Sequence, residues 1–377
     1  MPYAHMPNVP TGDRRNKAEN VPNSERQSQV PKVAINGLGR IGRATLKILL
    51  DVEDVQVVAV NDLAPVDNLA YLLAHDSVYG RYNRNVGAVG DALVVDGHTV
   101  TVYQERDPVD LPWSELGVDL VFECTGMFRR EEDLVRHLTA GARFVVLSAP
   151  ARTETVSTVV HGVNRPGEPP QITSCASCTT NCVAPVVEVM YRRIGIERAV
   201  MTTVHAYTSS QHLVDGPARS FRRGRAGAAN MLPDSTGAAI ATTKTVPALV
   251  DRFDGVAVRV PIPVGSIADI VFVAARPTSV EEVNDILREE AATDRYRAVL
   301  GVVDVPIVST DIIGDPRASI VDAAMTRVVD GTLVKIMSWY DNEWGFANQM
   351  IRESLSMLDV APQGPGAGGL PRGRPVT

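Results

Sequence analysis

Val33-Ala34-Ile35-Asn36-Gly37-Leu38-Gly39-Arg40-Ile41-Gly42 is the stretch whose reading decides the fold: a short apolar strand, a run of closely spaced glycines, then the helical pattern Arg43 to Asp51. Strand, Gly-x-Gly-x-x-Gly, helix is the order a dinucleotide site requires. Gly37 permits the tight turn, Gly39 lets a pyrophosphate approach the backbone, and Gly42 lets helix and strand pack closely. The phosphates then meet the unpaired amides of a helix N-terminus. A second strand, Val55 to Val60, ends at Asn61-Asp62, about 20 residues beyond Gly42. A carboxylate there accepts hydrogen bonds from the adenosine ribose and repels a 2'-phosphate, so Asp62 selects NAD over NADP.

Outward from this unit, apolar strands at Leu93 to Val95, Val118 to Phe122 and Arg143 to Leu147 alternate with helical stretches such as Arg130 to Ala140. That alternation predicts a parallel sheet being wound. Further along, the texture changes to longer strand-like runs at Ala199 to His205, Gly255 to Val260, Ile267 to Ala274 and Leu333 to Tyr340. These predict a mixed or antiparallel sheet with helices on one face. The expected fold is thus α/β: a Rossmann-type doubly wound NAD-binding domain over residues 31–177, joined by a C-terminal helix over 342–360, plus an α+β catalytic domain over 178–341. Residues 1–30, polar and without an apolar core that would serve as a secretory signal, read as a disordered extension, and 361–377, rich in Gly and Pro, as a disordered tail.

Composition narrows the function classes. A chain of 377 residues with 45% hydrophobic and 21% charged residues has ordinary globular composition and buries substantial cores. Its net charge of -7 argues against nucleic acid or an anionic membrane as the main partner, and no apolar run is long enough to span a bilayer. With 4 Cys, a disulfide framework is not expected, and a cytoplasmic location is.

Three of those cysteines fall in Ser174-Cys175-Ala176-Ser177-Cys178-Thr179-Thr180-Asn181-Cys182. The apolar stretch that follows reads as a helix starting at Cys178, and a thiol at a helix N-terminus is stabilised as thiolate. His205, in Thr202-Thr203-Val204-His205-Ala206-Tyr207, offers an imidazole to complete an ion pair with it. The bland alternatives are a core histidine in a strand for His205 and, for the Cys-x2-Cys-x3-Cys spacing, a metal or iron–sulfur site. Structural zinc needs a fourth ligand at a matching spacing, and none is evident, so no metal is expected. Cys182 and Cys124 read as small buried hydrophobes.

A cofactor site beside a nucleophilic thiol suggests oxidation of an aldehyde through a thioester, with His205 as the base. Thr208, Arg223, Thr236-Gly237 and Arg259 lie where hydroxyls, amides and guanidinium forks suit phosphate, although each taken alone reads first as a surface or ion-pair residue. The stretch Ser209 to Pro233, dense in Arg and Gly, is too long for an idle connection.

Taken with Ser235-Thr236-Gly237-Ala238-Ala239, Arg259-Val260-Pro261 and Trp339-Tyr340-Asp341-Asn342-Glu343, these motifs make the chain resemble the phosphorylating glyceraldehyde-3-phosphate dehydrogenases over about residues 32–358. The resemblance implies NAD-dependent conversion of D-glyceraldehyde 3-phosphate and inorganic phosphate to 1,3-bisphosphoglycerate, with Cys178 as nucleophile and His205 as base. It implies that Arg40 and Ile41 offer backbone groups to the pyrophosphate, that Asp62 holds the ribose, that Arg106, Thr125 and Ser148 line the rest of the NAD site, and that Asn342 fixes the nicotinamide carboxamide. It further implies that Thr208 and Arg259 bind the C3 phosphate, that Ser177, Thr179, Arg223, Thr236 and Gly237 bind the attacking phosphate, and that the chain is a homotetramer in which the 209–233 loop reaches a neighbouring subunit's cofactor.

Three departures stand out. Cys175 replaces a usual Asn and puts a second thiol near the nucleophile, open to a resolving role under oxidation or to simple tolerance of a small residue. Ile262 to Asp269 carries a Gly-Ser form where many members have Asn-Val-Ser, and Gly216-Pro217 lacks the small polar pair of NADP-using relatives. Erythrose-4-phosphate dehydrogenase is the runner-up activity, and an inactive regulatory paralogue is the reading from another class.

Overall fold

In the computed structural model, which describes residues 30–360, the strand Lys32–Asn36 runs into the helix Arg40–Leu49. The glycines act as the sequence implies. Gly37 has φ +91°, a left-handed conformation, and a Cβ on Gly42 would lie 1.9 Å from the carbonyl oxygen of Gly37. No side chain caps this helix at Gly39, so its first amides stay available.

Around this unit lies a sheet of nine strands. Seven are parallel, in spatial order Ser157–Thr158, Ile172–Ser174, Phe144–Leu147, Leu120–Glu123, Lys32–Asn36, Gln56–Asn61 and His98–Tyr103. The remaining two depart from the expected winding. Ala92–Val95 pairs antiparallel with His98–Tyr103, and Val86–Val89 pairs antiparallel with Ala92–Val95. The cause is local: Asp96 and Gly97 both take positive φ, 47° and 85°, which makes the tight two-residue hairpin that an Asp-Gly pair favours.

The second sheet has eight strands and is mixed, as expected. Its centre is Ile196–Ala206, parallel to Phe253–Val260 on one side and antiparallel to Ser266–Ala274 on the other, which in turn pairs antiparallel with Leu333–Tyr340. The helices Cys178–Arg193, Ala238–Thr245 and Val280–Ala291 share one core with this sheet, built on Val183, Val187, Ala239, Ile270, Leu287 and Ile336. On the opposite face Val200 and Val256 are exposed.

The final helix, Trp344–Met357, returns to the first sheet. Trp344, Phe346, Met350, Ile351 and Leu355 are buried in the same core as Ile35, Leu46 and Val60. Arg40 pins the start of this return, bonding Asp76 through Nη1 at 2.7 Å and Glu343 through Nε at 2.9 Å. Among the described residues no helix is long and apolar enough to cross a membrane. The extension and tail expected at the two ends of the chain fall outside the described residues, apart from Val30.

Candidate active site

The candidate nucleophile, Cys178, is delivered by a sharp turn. The strand Ile172–Ser174 ends, Ala176 takes φ +57°, and Ser177 caps the helix by accepting the amide of Thr180 at 3.1 Å. A left-handed non-glycine residue costs on the order of 1 kcal/mol, held here by burial of Ala176 and by its amide bond to Ser174 Oγ at 3.1 Å. Cys178 is the first helical residue, as expected, and keeps one side open.

His205 reaches it from the neighbouring sheet. Its Nε2 lies 3.4 Å from Cys178 Sγ, and its Nδ1 lies 2.6 Å from the carbonyl oxygen of Ala206. The parallel register sets His205 directly opposite Arg259, and Arg259 Nη1 is 2.5 Å from the same Nδ1. These two contacts select different tautomers: donation to Ala206 leaves Nε2 free to take a proton, whereas acceptance from Arg259 does not. Burial and the adjacent guanidinium push the imidazole down to about 3, and burial pushes the Cys178 thiol up, partly offset by Arg259 and the Thr179 amide. Both groups are drawn towards their neutral forms by their surroundings. These surroundings do not by themselves impose the ion pair expected from the sequence, although the 3.4 Å contact is short enough for a proton to pass between the two groups.

Below this pair lies a support the sequence did not mark. Tyr340 is buried, its hydroxyl bonds Thr179 Oγ1 at 2.8 Å and Thr203 Oγ1 at 2.7 Å, and its ring packs edge-on to His205. Thr179, expected at the phosphate site, thus has its hydroxyl engaged by Tyr340 beside Cys178. The other cysteines are structural. Cys182 bonds weakly to Ser319 and Ser338 and is pushed up to about 12, as is Cys124. Cys175 is buried in the first core with its thiol pushed far up by that burial, which favours the tolerated-residue reading over a resolving thiol.

At the cofactor crevice, Asp62 follows the strand Gln56–Asn61 and is fixed by two backbone donors: Leu38 N to Oδ2 at 2.7 Å and Ala64 N to Oδ1 at 3.0 Å. Its remaining lone pairs are free for ribose hydroxyls. Gly39 is exposed with nothing near its missing side chain, which gives a pyrophosphate room to approach, and the Arg40 guanidinium is committed elsewhere, so its backbone is what remains to offer. Ile41 and Ser148 are half-buried, and Arg106 is exposed after the strand His98–Tyr103. Thr125 donates its amide to Glu123 at 2.8 Å, and its hydroxyl also bonds that carboxylate. Asn342 sits at the end of the strand Leu333–Tyr340, with Oδ1 accepting from Gly265 and Ser266. Glycine loop, carboxylate and amide together fit NAD.

Glu123 belongs to a buried network that sequence reasoning missed. Trp113 Nε1 donates to His137 Nδ1 at 3.1 Å, which leaves His137 Nε2 to donate to Glu123 Oε2 at 3.1 Å; Asn36 donates to that oxygen at 2.6 Å, and Asn61 to Asn36 at 2.7 Å. Three adjacent strand ends are thereby fixed beneath the crevice.

The remaining anion candidates are spread over the second half. Thr208 Oγ1 bonds Ser210 Oγ at 2.9 Å, Arg223 is paired with Asp234 at 2.7 Å, and Thr236 Oγ1 accepts the amide of Ala238 at the start of the helix after Gly237. Among the described residues, no group of three or more His, Cys, Asp or Glu side chains is placed to hold a metal ion.

Comparison with known proteins accords with this geometry. A family model described as the NAD binding domain of glyceraldehyde 3-phosphate dehydrogenase matches residues 31–131, and one described as its C-terminal domain matches 177–342. The glyceraldehyde-3-phosphate dehydrogenase of Zymomonas mobilis is 45% identical over 330 residues, covering 86% of this chain and 98% of that protein. The one from Kitasatospora aureofaciens is 48% identical over 331 residues, covering 87% and 98%. That of Geobacillus stearothermophilus is 45% identical over 323 residues, covering 85% and 96%.

Proposed function

The chain belongs to the glyceraldehyde-3-phosphate dehydrogenase family and is an NAD-dependent oxidoreductase, and from that premise we propose that it oxidises D-glyceraldehyde 3-phosphate to 1,3-bisphosphoglycerate through a thioester on Cys178. The observation that carries this reading is the 3.4 Å contact between Cys178 Sγ, at a helix N-terminus, and His205 Nε2.

Cys178 gives its proton to His205 as Sγ bonds to the aldehyde carbon, and His205 passes that proton to the aldehyde oxygen, which becomes a hydroxyl and leaves Nε2 neutral again. His205 Nε2 then removes that hydroxyl proton while Nδ1–H is held by the Ala206 carbonyl. NAD, held in the cofactor crevice, would supply the hydride acceptor; with the hydroxyl proton on His205 and the hydride gone, the substrate carbon is left as an acyl group on Cys178 Sγ. A phosphate oxygen attacks the thioester and Cys178 leaves as thiolate. Arg259 and Thr208 hold the substrate's C3 phosphate in this scheme. Drawing the guanidinium to that phosphate takes it off Nδ1 and frees the tautomer in which Nε2 is the base. Ser177, Thr179, Arg223, Thr236 and Gly237 serve the attacking phosphate, with Thr179 and Arg223 exchanging their present partners to do so. Asp62, Arg106, Thr125, Ser148 and the backbone of Gly37 to Gly42 hold the cofactor, and Asn342 meets its carboxamide. The division of labour follows the two sheets, residues 31–177 with the final helix for the cofactor and 178–341 for the chemistry.

We also propose a homotetramer, supported by Leu213, Val214, Phe221 and Met231, which are strongly exposed on the 209–233 loop. The four cysteines are free thiols, which suits a cytoplasmic setting.

The test is NADH formation from glyceraldehyde 3-phosphate, with and without inorganic phosphate and against erythrose 4-phosphate. Turnover that ignores phosphate would refute the phosphorylating step, faster use of erythrose 4-phosphate would install the runner-up activity, and no turnover would leave a regulatory paralogue. Cys178→Ser is expected to abolish oxidation with NAD affinity intact; lost affinity would refute the assignment of roles.

A further inference from the structure

Ser266 takes no part in the reaction, yet its hydroxyl is bonded to both halves of the chemistry. It opens the strand Ser266–Ala274, is buried, and lies in register opposite Tyr340, two residues before Asn342. Its Oγ accepts the amide of Ala206 at 3.2 Å and donates to Asn342 Oδ1 at 3.0 Å. The amide of Gly265 donates to the same oxygen at 3.2 Å. Gly265 has φ +89°, and a Cβ there would lie 2.5 Å from the carbonyl oxygen of Ser309, so only glycine brings this amide to Asn342 without displacing the backbone around it.

With Oδ1 held by two donors, turning the Asn342 amide over would set its NH2 against the Gly265 N–H and leave the Ser266 hydroxyl proton without its acceptor. Its Nδ2 makes no hydrogen bond among the described residues and is not sealed from solvent. The donor side of the amide is therefore the side presented to a ligand.

We propose that Ser266 is a positioning residue that locks the Asn342 amide with its NH2 outward, so that the site reads the carbonyl oxygen of the nicotinamide carboxamide and not that group's own NH2. Through Ala206 the same hydroxyl registers this anchor against the strand end that holds His205. The inference rests on the proposed contact between Asn342 and the nicotinamide.

The test uses the full-length protein with NAD and with its 3-acetylpyridine analogue, which keeps the carbonyl and lacks the NH2. In the unaltered protein the outward NH2 serves both cofactors alike. In Ser266→Ala, Oδ1 keeps one donor, the turned-over amide becomes populated, and that orientation offers an acceptor only NAD can use. The preference for NAD over the analogue is expected to rise about tenfold, the scale of one hydrogen bond, both in kcat/KM and in binding affinity measured calorimetrically without aldehyde. Ser266→Cys, with a weaker donor, falls between. Asn342→Asp, which presents only acceptors, is expected to shift the preference at least as far. A shift in Asn342→Asp with none in Ser266→Ala would overturn the positioning role alone. No shift in Asn342→Asp would overturn the nicotinamide contact itself.

Discussion

Replacing Asp62 is expected to reverse much of the cofactor selectivity. Its carboxylate is held in place by the amides of Leu38 and Ala64 at 2.7 and 3.0 Å, so it cannot swing away from a 2'-phosphate without giving up both bonds. At about 5 Å and an effective dielectric of about 20, one unit of phosphate charge is repelled by roughly 3 kcal/mol, or roughly two powers of ten in affinity. In the proposed contact, the same carboxylate would contribute about 1.5 to 3 kcal/mol for each charge-assisted bond to the NAD ribose. Asp62→Ala removes both effects, so the ratio of kcat/KM for NAD to that for NADP is expected to fall by on the order of a thousandfold, read as initial rates of reduced cofactor formation. Asp62→Asn serves as control, since it removes the charge and keeps one acceptor for the glycine loop. It is expected to show most of the gain with NADP at a smaller cost in stability. Raised salt should narrow the difference in the unaltered protein through screening. A ratio that stays within about threefold of the starting value in both variants would refute the reasoning and place selectivity elsewhere.

Two further outcomes are expected. Glu123 accepts from Asn36, from His137 and twice from Thr125, so Glu123→Gln sets an NH2 against two of these donors; a loss of about 3 kcal/mol in stability, read by chemical unfolding with and without NAD, is anticipated, and a loss below about 1 kcal/mol would show the network to be dispensable. His205 is held neutral down to about 3, so as pH falls below about 6.5 the unfolded chain takes up the proton first, and the stability due to this residue is complete above that pH and lost on the way down. His205→Asn should flatten the stability profile between about pH 6.5 and about pH 4, and equal slopes in thermal unfolding would contradict the depressed value.

The cofactor half of the site was legible because its signals are local. A glycine run between an apolar strand and a helix, followed by a strand ending in Asp62, fixes positions that depend on a few adjacent residues. The turn at Cys178 and the return of the last helix could be read for the same reason. The antiparallel edge was also written in the chain, as the Asp96-Gly97 pair between two short strands, but a reading based on strand and helix alternation passes over turn chemistry. What stayed hidden depends on register between distant strands. Arg259 against His205, Tyr340 under Thr179 and Thr203, and Ser266 on Asn342 are pairings no periodicity encodes. Glu123 and His137 were invisible for a different reason, since a charged residue after an apolar run looks like the exposed end of a strand although both are fully buried.

The return of Trp344–Met357 to the first core bears on how the chain comes to be folded as it leaves the ribosome. Synthesis proceeds from the N-terminus, so the strands and helices of the nucleotide-binding half emerge early, while Trp344, Phe346, Met350, Ile351 and Leu355, which close their core, come more than a hundred residues after the nucleophile. Until then that half carries an open apolar cleft, the kind of surface on which nascent chains aggregate or recruit chaperones. Closure of the first core is thereby tied to synthesis of the last helix, and a chain cut short before it would be left with that core open.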